Sequence, residues 1–226
     1  YEKADHIVSL LMDADTHIKD VLLDMPFKYT WISNGFKVED ESLYHPISKE
    51  LDQQIPKDAF IVGYAGSLGK ANAMDYIIEG FNNLKNKEIY LLIVGSGDEM
   101  THLQRLACDN KNISFFERIP KNQVLSFLKK CDLLYFSSKD LKLYSYGISA
   151  NKTFDYMYAQ KPILLSASTQ NNAIELAECG RVIKPNDSTL IINEILKFKE
   201  MPSKDRNLMG IKGKEYLMKH FTYDKL

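Results

Sequence analysis

Between Tyr146 and Pro162 the chain reads Tyr-Gly-Ile-Ser-Ala-Asn-Lys-Thr-Phe-Asp-Tyr-Met-Tyr-Ala-Gln-Lys-Pro. A small-residue turn, Gly147-Ile148-Ser149-Ala150, runs straight into a stretch that opens with Asn151, Lys152 and Thr153 and that reads as a helix. An amino-terminal helix end carries unpaired N–H groups and a partial positive charge, which suit a phosphate, and Lys152 adds a full charge there. Asp155 follows Lys152 by three residues and Asn151 by four, so a helix puts all three on one side of its first turns. Such a mouth can hold a diphosphate at Lys152 and a ribose diol at Asp155. The same residues would also make a capped helix with a Lys–Asp surface pair, and the stretch alone does not decide between the two.

Three other loops carry groups of similar use. Gly66-Ser67-Leu-Gly69-Lys70 lies between an apolar run and a helical pattern, the place of a phosphate-binding loop, with Ser67 and Asn72 as neutral donors to phosphate or sugar oxygens. It is not a Walker loop, because the spacing of the glycines and the closing Ser/Thr are wrong. A turn needed only for chain reversal explains these glycines as well. Gly95-Ser-Gly97 repeats the arrangement without the third glycine of a dinucleotide fingerprint. At Arg118-Ile119-Pro120 the backbone of an extended segment could meet the edge of a base, or Pro120 could simply open the next helix.

The elements that must position these loops follow from periodicity. Short runs at Phe60 to Ala65, Tyr90 to Val94, Ser114 to Phe116, Leu133 to Phe136, Pro162 to Leu165 and Arg181 to Ile183 read as strands. Amphipathic helical patterns separate them, and helices from Thr189 to Lys199 and Lys204 to His220 close the chain. Strands apolar on both faces, alternating with helices, predict an α/β fold with a parallel sheet covered on both sides, whose ligands bind at the carboxyl ends of the strands. Upstream, His6 to Leu11 and Tyr29 to Ile32 read as strands around a short helix capped by Thr16. Residues 36–57 are polar, carry Pro46 and Pro56, and read as a linker. The expected division is therefore 1–35, a linker at 36–57, an α/β domain at 58–200 and a carboxy-terminal helix at 201–226.

Composition removes several classes. With 226 residues, 45% of them hydrophobic, the chain can build one large core or two small ones. A formal charge of −1 without a long basic run argues against nucleic acid or an anionic membrane as the main partner. Cys108, Cys131 and Cys179 are scattered and the five histidines equally so, which reads as reduced thiols of a cytoplasmic protein rather than a disulfide frame or metal site. No apolar run reaches the roughly 20 residues of a membrane helix. An opening on Tyr1-Glu-Lys-Ala-Asp5 without Met reads as a piece of something longer.

Taken in order, the loops are more specific than any one of them. The chain resembles the carboxy-terminal, donor-binding half of group 1 (family 4) glycosyltransferases of the GT-B fold, two Rossmann-like domains facing a cleft. Asn34-Gly35 matches the entry to the interdomain linker, Tyr-Ala-Gly66-Ser67-Leu the first glycine loop and Leu-Ile-Val-Gly95-Ser-Gly97 the second. Tyr-Gly147-Ile-Ser-Ala-Asn151-Lys152-Thr-Phe-Asp155-Tyr-Met is similar to the donor-binding signature, in the form found in bacterial surface-sugar transferases. There are departures. Gly147 stands where the family has the first of two glutamates, and Asp155 at the second, which holds the ribose. Ser67 and Asn72 replace the usual phosphate-binding Arg and Lys, and Glu117 replaces a glycine. Lys152, with Lys70, is left as the cation for the diphosphate.

The resemblance implies an enzyme that moves a sugar from a nucleoside diphosphate, UDP before GDP or ADP, to a polysaccharide or lipid-linked acceptor, with retention and without a metal or cofactor. Lys152 and Asp155 would act in catalysis. Gly66, Ser67, Lys70, Asn72, Gly95, Arg118, Ile119, Gly147, Ile148, Ser149, Asn151 and Thr153 would complete the donor site. The acceptor would be held mainly by an amino-terminal domain of which residues 1–35 are the end, so the chain alone should bind donor weakly and not turn over. Peripheral membrane association is compatible with this reading. A UDP-sugar 2-epimerase on the same fold and a non-catalytic nucleotide-binding domain are the alternatives, and an NAD-dependent oxidoreductase stands behind both.

Overall fold

The computed structural model describes residues 1–23, 25–86 and 88–226, with the backbone alone at residue 41. The chain opens with β1 (Ile7–Ser9), α1 (Ala14–Leu22) and β2 (Tyr29–Trp31), the two strands forming a parallel pair separate from the main sheet. Thr16 does not cap α1. It lies inside the helix, whose capping position is Asp13, because Ala14, Ile18 and Leu22 must share the buried face and that spacing draws the helix start three residues upstream. Val8, Leu10, Val21, Leu23, Met25 and Ile32 are all exposed, so this small unit leaves much of its apolar surface uncovered.

The segment read as a linker is more ordered than its polarity suggests. It holds a 3-10 turn, Glu41–Leu43, and a helix, α2 (Lys49–Gln54), started by Ser48, whose hydroxyl accepts from Leu51 N at 3.2 Å. Ile47, Leu51 and Ile55 recur every fourth residue and are buried in the main core, and that burial outweighs the surrounding charges.

From Phe60 onward the expected alternation is present: β3 (Phe60–Ser67), α3 (Asp75–Asn83), β4 (Ile89–Ser96), α4 (Met100–Leu106), β5 (Ile113–Phe116), α5 (Lys121–Lys130) and β6 (Leu133–Ser137). Then come α6 (Asn151–Tyr158), β7 (Ile163–Ser166), α7 (Ala173–Leu176), β8 (Gly180–Ile183), α8 (Ser188–Glu200) and α9 (Ser203–His220). Six strands form one parallel sheet in the order β5-β4-β3-β6-β7-β8. Residues such as Val62, Tyr64, Leu91, Ile93, Leu134 and Leu164 are fully buried, as strands covered on both faces require. One helical layer packs α3 with α4 and α8, and another packs α6 with α5 and α9.

The order reverses between β3 and β6, where successive connections leave in opposite directions and open a crevice at the carboxyl ends. β3 and β4 carry their ladder through the glycines, pairing Gly66 with Gly95 and Ser67 with Ser96. The two backbones approach so closely that a Cβ on Gly95 would lie 1.9 Å from the Gly66 carbonyl oxygen. The chain end returns to the linker, where Phe36 N donates to the Phe221 carbonyl at 2.6 Å. Among the described residues no helix is long and apolar enough to cross a membrane.

Candidate nucleotide-binding site

Tyr156 fixes where α6 sits. Its buried hydroxyl accepts from Ala65 N at 3.0 Å and lies 3.3 Å from the Tyr135 carbonyl, which ties the helix to both strands that flank the crevice. Lys152 stands four residues earlier on the same face, so its ammonium is carried over the end of β3. A Cβ built on Gly66 would come within 3.2 Å of Lys152 Nζ, so the ammonium lies directly over this glycine.

Lys152 Nζ donates to Tyr64 Oη at 3.0 Å and to Asn72 Oδ1 at 2.9 Å. It also lies 4.6 Å from the centre of the Tyr64 ring, where the negative face of the ring favours a cation. Among the described residues it takes part in no ion pair. Burial without a counter-charge pulls the Lys152 amine down to about 8. Burial pushes the Tyr64 phenol up, which keeps it protonated. At α6 the capping residue Ala150 brings no side-chain oxygen to the first N–H groups, so the mouth of the helix adds its own positive end to that of Lys152.

Beside this ammonium is a cavity of about 390 Å³ lined by Gly66, Ser67, Gly95, Ser96, Arg118, Ile119, Lys121, Val124, Lys152 and Asp155. Its size lies at the lower end of the range typical of small-ligand sites. Three cations against one carboxylate make it electropositive, and Ile119 and Val124 add apolar surface to its lining. A flat base against these two, a ribose near Asp155 and a diphosphate toward Lys152 and the glycines would match the chemistry of the lining.

The expected residues divide. Gly66, Ser67, Gly95, Arg118, Ile119, Lys152 and Asp155 meet at this cavity. Asn72 is beside it, but its amide does not face a ligand: Nδ2 donates to the Ser67 carbonyl at 3.0 Å and Oδ1 is taken by Lys152. Lys70 is exposed on the 3-10 turn Lys70–Asn72 and stays out of the cavity, because the inner side of that turn is given to the buried Ala73 and Met74. Gly147 has φ +119°, a left-handed conformation that favours glycine, and it leads the chain against Leu11 and Met12. Ile148, Ser149 and Thr153 consequently face the amino-terminal unit and the core, and Ser149 Oγ is buried without a partner. Asn34 holds this loop from the other side, donating to the Ser149 carbonyl at 3.1 Å. Asn151 opens onto a neighbouring groove with Phe36, Tyr44 and Tyr158.

The Lys–Asp surface pair within α6 does not form. Asp155 instead pairs with Lys121 Nζ, at 2.6 and 2.7 Å to its two oxygens. Lys121 and Tyr64, together with Ser96 and Val124 of the lining, are therefore site residues that sequence reading missed. A lysine in the first turn of a helix opposes the helix dipole, and that misfit after Pro120 was the available signal for Lys121. For Tyr64 the signal was a phenol two residues before the glycine, in a run from Phe60 to Gly66 whose other side chains are apolar.

Residues 48–216 match the model of the glycosyl transferases group 1 family. The chain belongs to the group 1 glycosyltransferases. Its fold is similar to sucrose-phosphate synthase from Thermosynechococcus elongatus, with a TM-score of 0.75 and 15% identity over 99% of this chain and 56% of that one. It is also similar to HepE of Anabaena, solved in complex with UDP-glucose, with a TM-score of 0.72 and 18% identity over 97% of this chain and 60% of that one. The chain thus spans little more than half the length of these two proteins. A protein of Pelagibacter ubique named adenylate kinase is 27% identical over 167 residues, 74% of this chain and 75% of that one. Next to Ser67 and Asn72, the ammonium of Lys152 occupies the space above Gly66.

Proposed function

We propose that this chain is the donor-binding half of a glycosyltransferase that moves a sugar from UDP to a polysaccharide or lipid-linked acceptor in the cytoplasm, with the acceptor held chiefly by a further amino-terminal domain. The observation that carries this reading is the ammonium of Lys152, half-buried over Gly66 at the reversal point of the sheet with no counter-ion among the described residues. An anion completes that environment. Transfer leaves negative charge on the departing diphosphate, so Lys152 and the positive mouth of α6 would gain most in the transition state, which is where binding accelerates a reaction. Asp155 would hold the ribose. We assign retention of configuration and independence from metals and resident cofactors on the family resemblance, with the nucleotide-sugar as substrate. The binding of UDP-glucose by HepE, on a similar fold, supports the choice of donor class.

The open apolar face of β1, α1 and β2 supports the further domain, since a two-stranded parallel pair does not stand alone. A kinase reading, suggested by the name of the Pelagibacter relative, lacks its loop here: Gly69-Lys70 is followed by Ala71, and Tyr64 stands where the leading glycine would be. A 2-epimerase has no support from a cavity lined by a single carboxylate and no histidine. Calorimetry with UDP tests the site. Binding that weakens in both Lys152→Ala and Asp155→Ala is the expected result, and unchanged affinity in the two variants would remove the assignment.

A further inference from the structure

Two side chains converge on one backbone atom next to the cavity. Tyr64 Oη donates to the Ser67 carbonyl, and Asn72 Nδ2 donates to the same oxygen at 3.0 Å. A phenol that has given its proton away can only accept from Lys152, and an amide whose nitrogen is so engaged must turn its oxygen toward Lys152. Both do so, at 3.0 and 2.9 Å. The two partners are neutral, so they orient the ammonium without cancelling its charge, and they use two of its three N–H groups. We propose that Tyr64 and Asn72 are positioning residues that aim the third N–H of Lys152, with its charge uncompensated, at the diphosphate of the donor.

This rests on the nucleotide reading above and deepens it. It moves Asn72 from a group that touches the ligand to one that sets the cation. It also accounts for neutral residues at Ser67 and Asn72: a carboxylate in either place would neutralise the site, and a second loop cation would repel Lys152. The charged and titratable groups around the amine are few. Tyr64 comes from β3 and Arg118 from the loop before α5, while β6 presents the uncharged Phe136 ring, its centre 5.8 Å away. On α6 itself Asp155 is already paired with Lys121, and Tyr156 is hydrogen-bonded to β3.

The test compares wild type, Tyr64→Phe and the near-isosteric Asn72→Asp in UDP titrations between pH 7 and 9.5, above the second phosphate ionisation. In wild type, affinity should fall as pH rises through about 8, where free Lys152 loses its proton. Tyr64→Phe removes an acceptor from the ammonium and should move that fall to lower pH. Asn72→Asp should move it to higher pH while weakening binding at pH 7 about tenfold to a hundredfold, because the new carboxylate claims the cation. A purely structural role would lower thermal stability and leave the midpoint in place. Midpoints that coincide in all three proteins, with UDP bound by wild type, would overturn the positioning role and leave the nucleotide site standing. Failure of wild type to bind UDP would overturn both.

Discussion

Asp155 gives both carboxylate oxygens to Lys121 Nζ, at 2.6 and 2.7 Å, and neither to Lys152 three residues back along the same helix. The Lys121 side chain is 73% exposed, so the pair is of the solvent-screened kind that contributes little to stability. A ribose diol can therefore displace it at small cost. In Lys121→Met, UDP should bind as well or a few-fold better, and the preference for UDP over 2′-deoxy-UDP should widen. Asp155→Ala should abolish that preference, a loss of about tenfold for one hydrogen bond to a charged group. Competitive titration of the two nucleotides measures both effects.

Removing the Lys152 charge separates binding from folding. Lys152→Met should weaken UDP about tenfold to a hundredfold, the range of one charge-assisted hydrogen bond. Its melting temperature should be equal to or above that of wild type, because a buried, unpaired charge is unfavourable in the free protein. Thermal denaturation with and without UDP reads the two separately.

The same group makes stability depend on pH in a known direction. Folding brings Lys152 from its ordinary 10.5 down to about 8, so between these values the unfolded chain holds a proton that the folded chain has released. Stability then rises with pH across that window, and below it the burial penalty is fully present. Denaturant unfolding of wild type and Lys152→Met at pH 7.5, 9 and 10.5 should show wild type gaining on the variant as pH rises. A gap that stays constant would contradict the buried, uncompensated amine.

Gly95→Ala should be among the most damaging single-atom additions in the sheet. Its Cβ would need the space of the Gly66 carbonyl oxygen, 1.9 Å away, and both atoms belong to paired central strands that cannot part without losing their ladder. A cost of about 3 kcal/mol or more follows, at the upper end of overpacking effects. Gly69→Ala meets nothing within 4 Å and should fold normally, which makes it the matched control in urea denaturation.

The four inner strands of the main sheet could be read from the sequence because they are buried on both faces and so are written in nearly continuous apolar residues, while the half-buried edge strands β5 and β8 still carry Phe115-Phe116 and Val182-Ile183. The start of α6 was legible for a related reason, small residues giving way to a polar first turn. α2 was missed because Ile47, Leu51 and Ile55 are isolated among charges, and a count of polarity hides a spacing of four. The cap at Thr16 failed because tertiary burial of Ala14 fixed the helix start instead. In the site, residues next to a glycine or a helix mouth were found by position along the chain. Lys121 and Tyr64 were not, since their pairing with Asp155 and Lys152 depends on α5 and β3 being brought beside α6. That follows from the order of strands, and no local pattern records it.

The hydroxyl of Tyr156 has a kinetic consequence. Because it binds the α6 turn below Lys152 to Ala65 in the middle of the sheet, the cation stands on a helix already tied to two central strands before any nucleotide arrives. Capture of the diphosphate should then proceed at the speed of encounter, in a single phase linear in nucleotide concentration and slowed by added salt, with no lag for a segment to order itself.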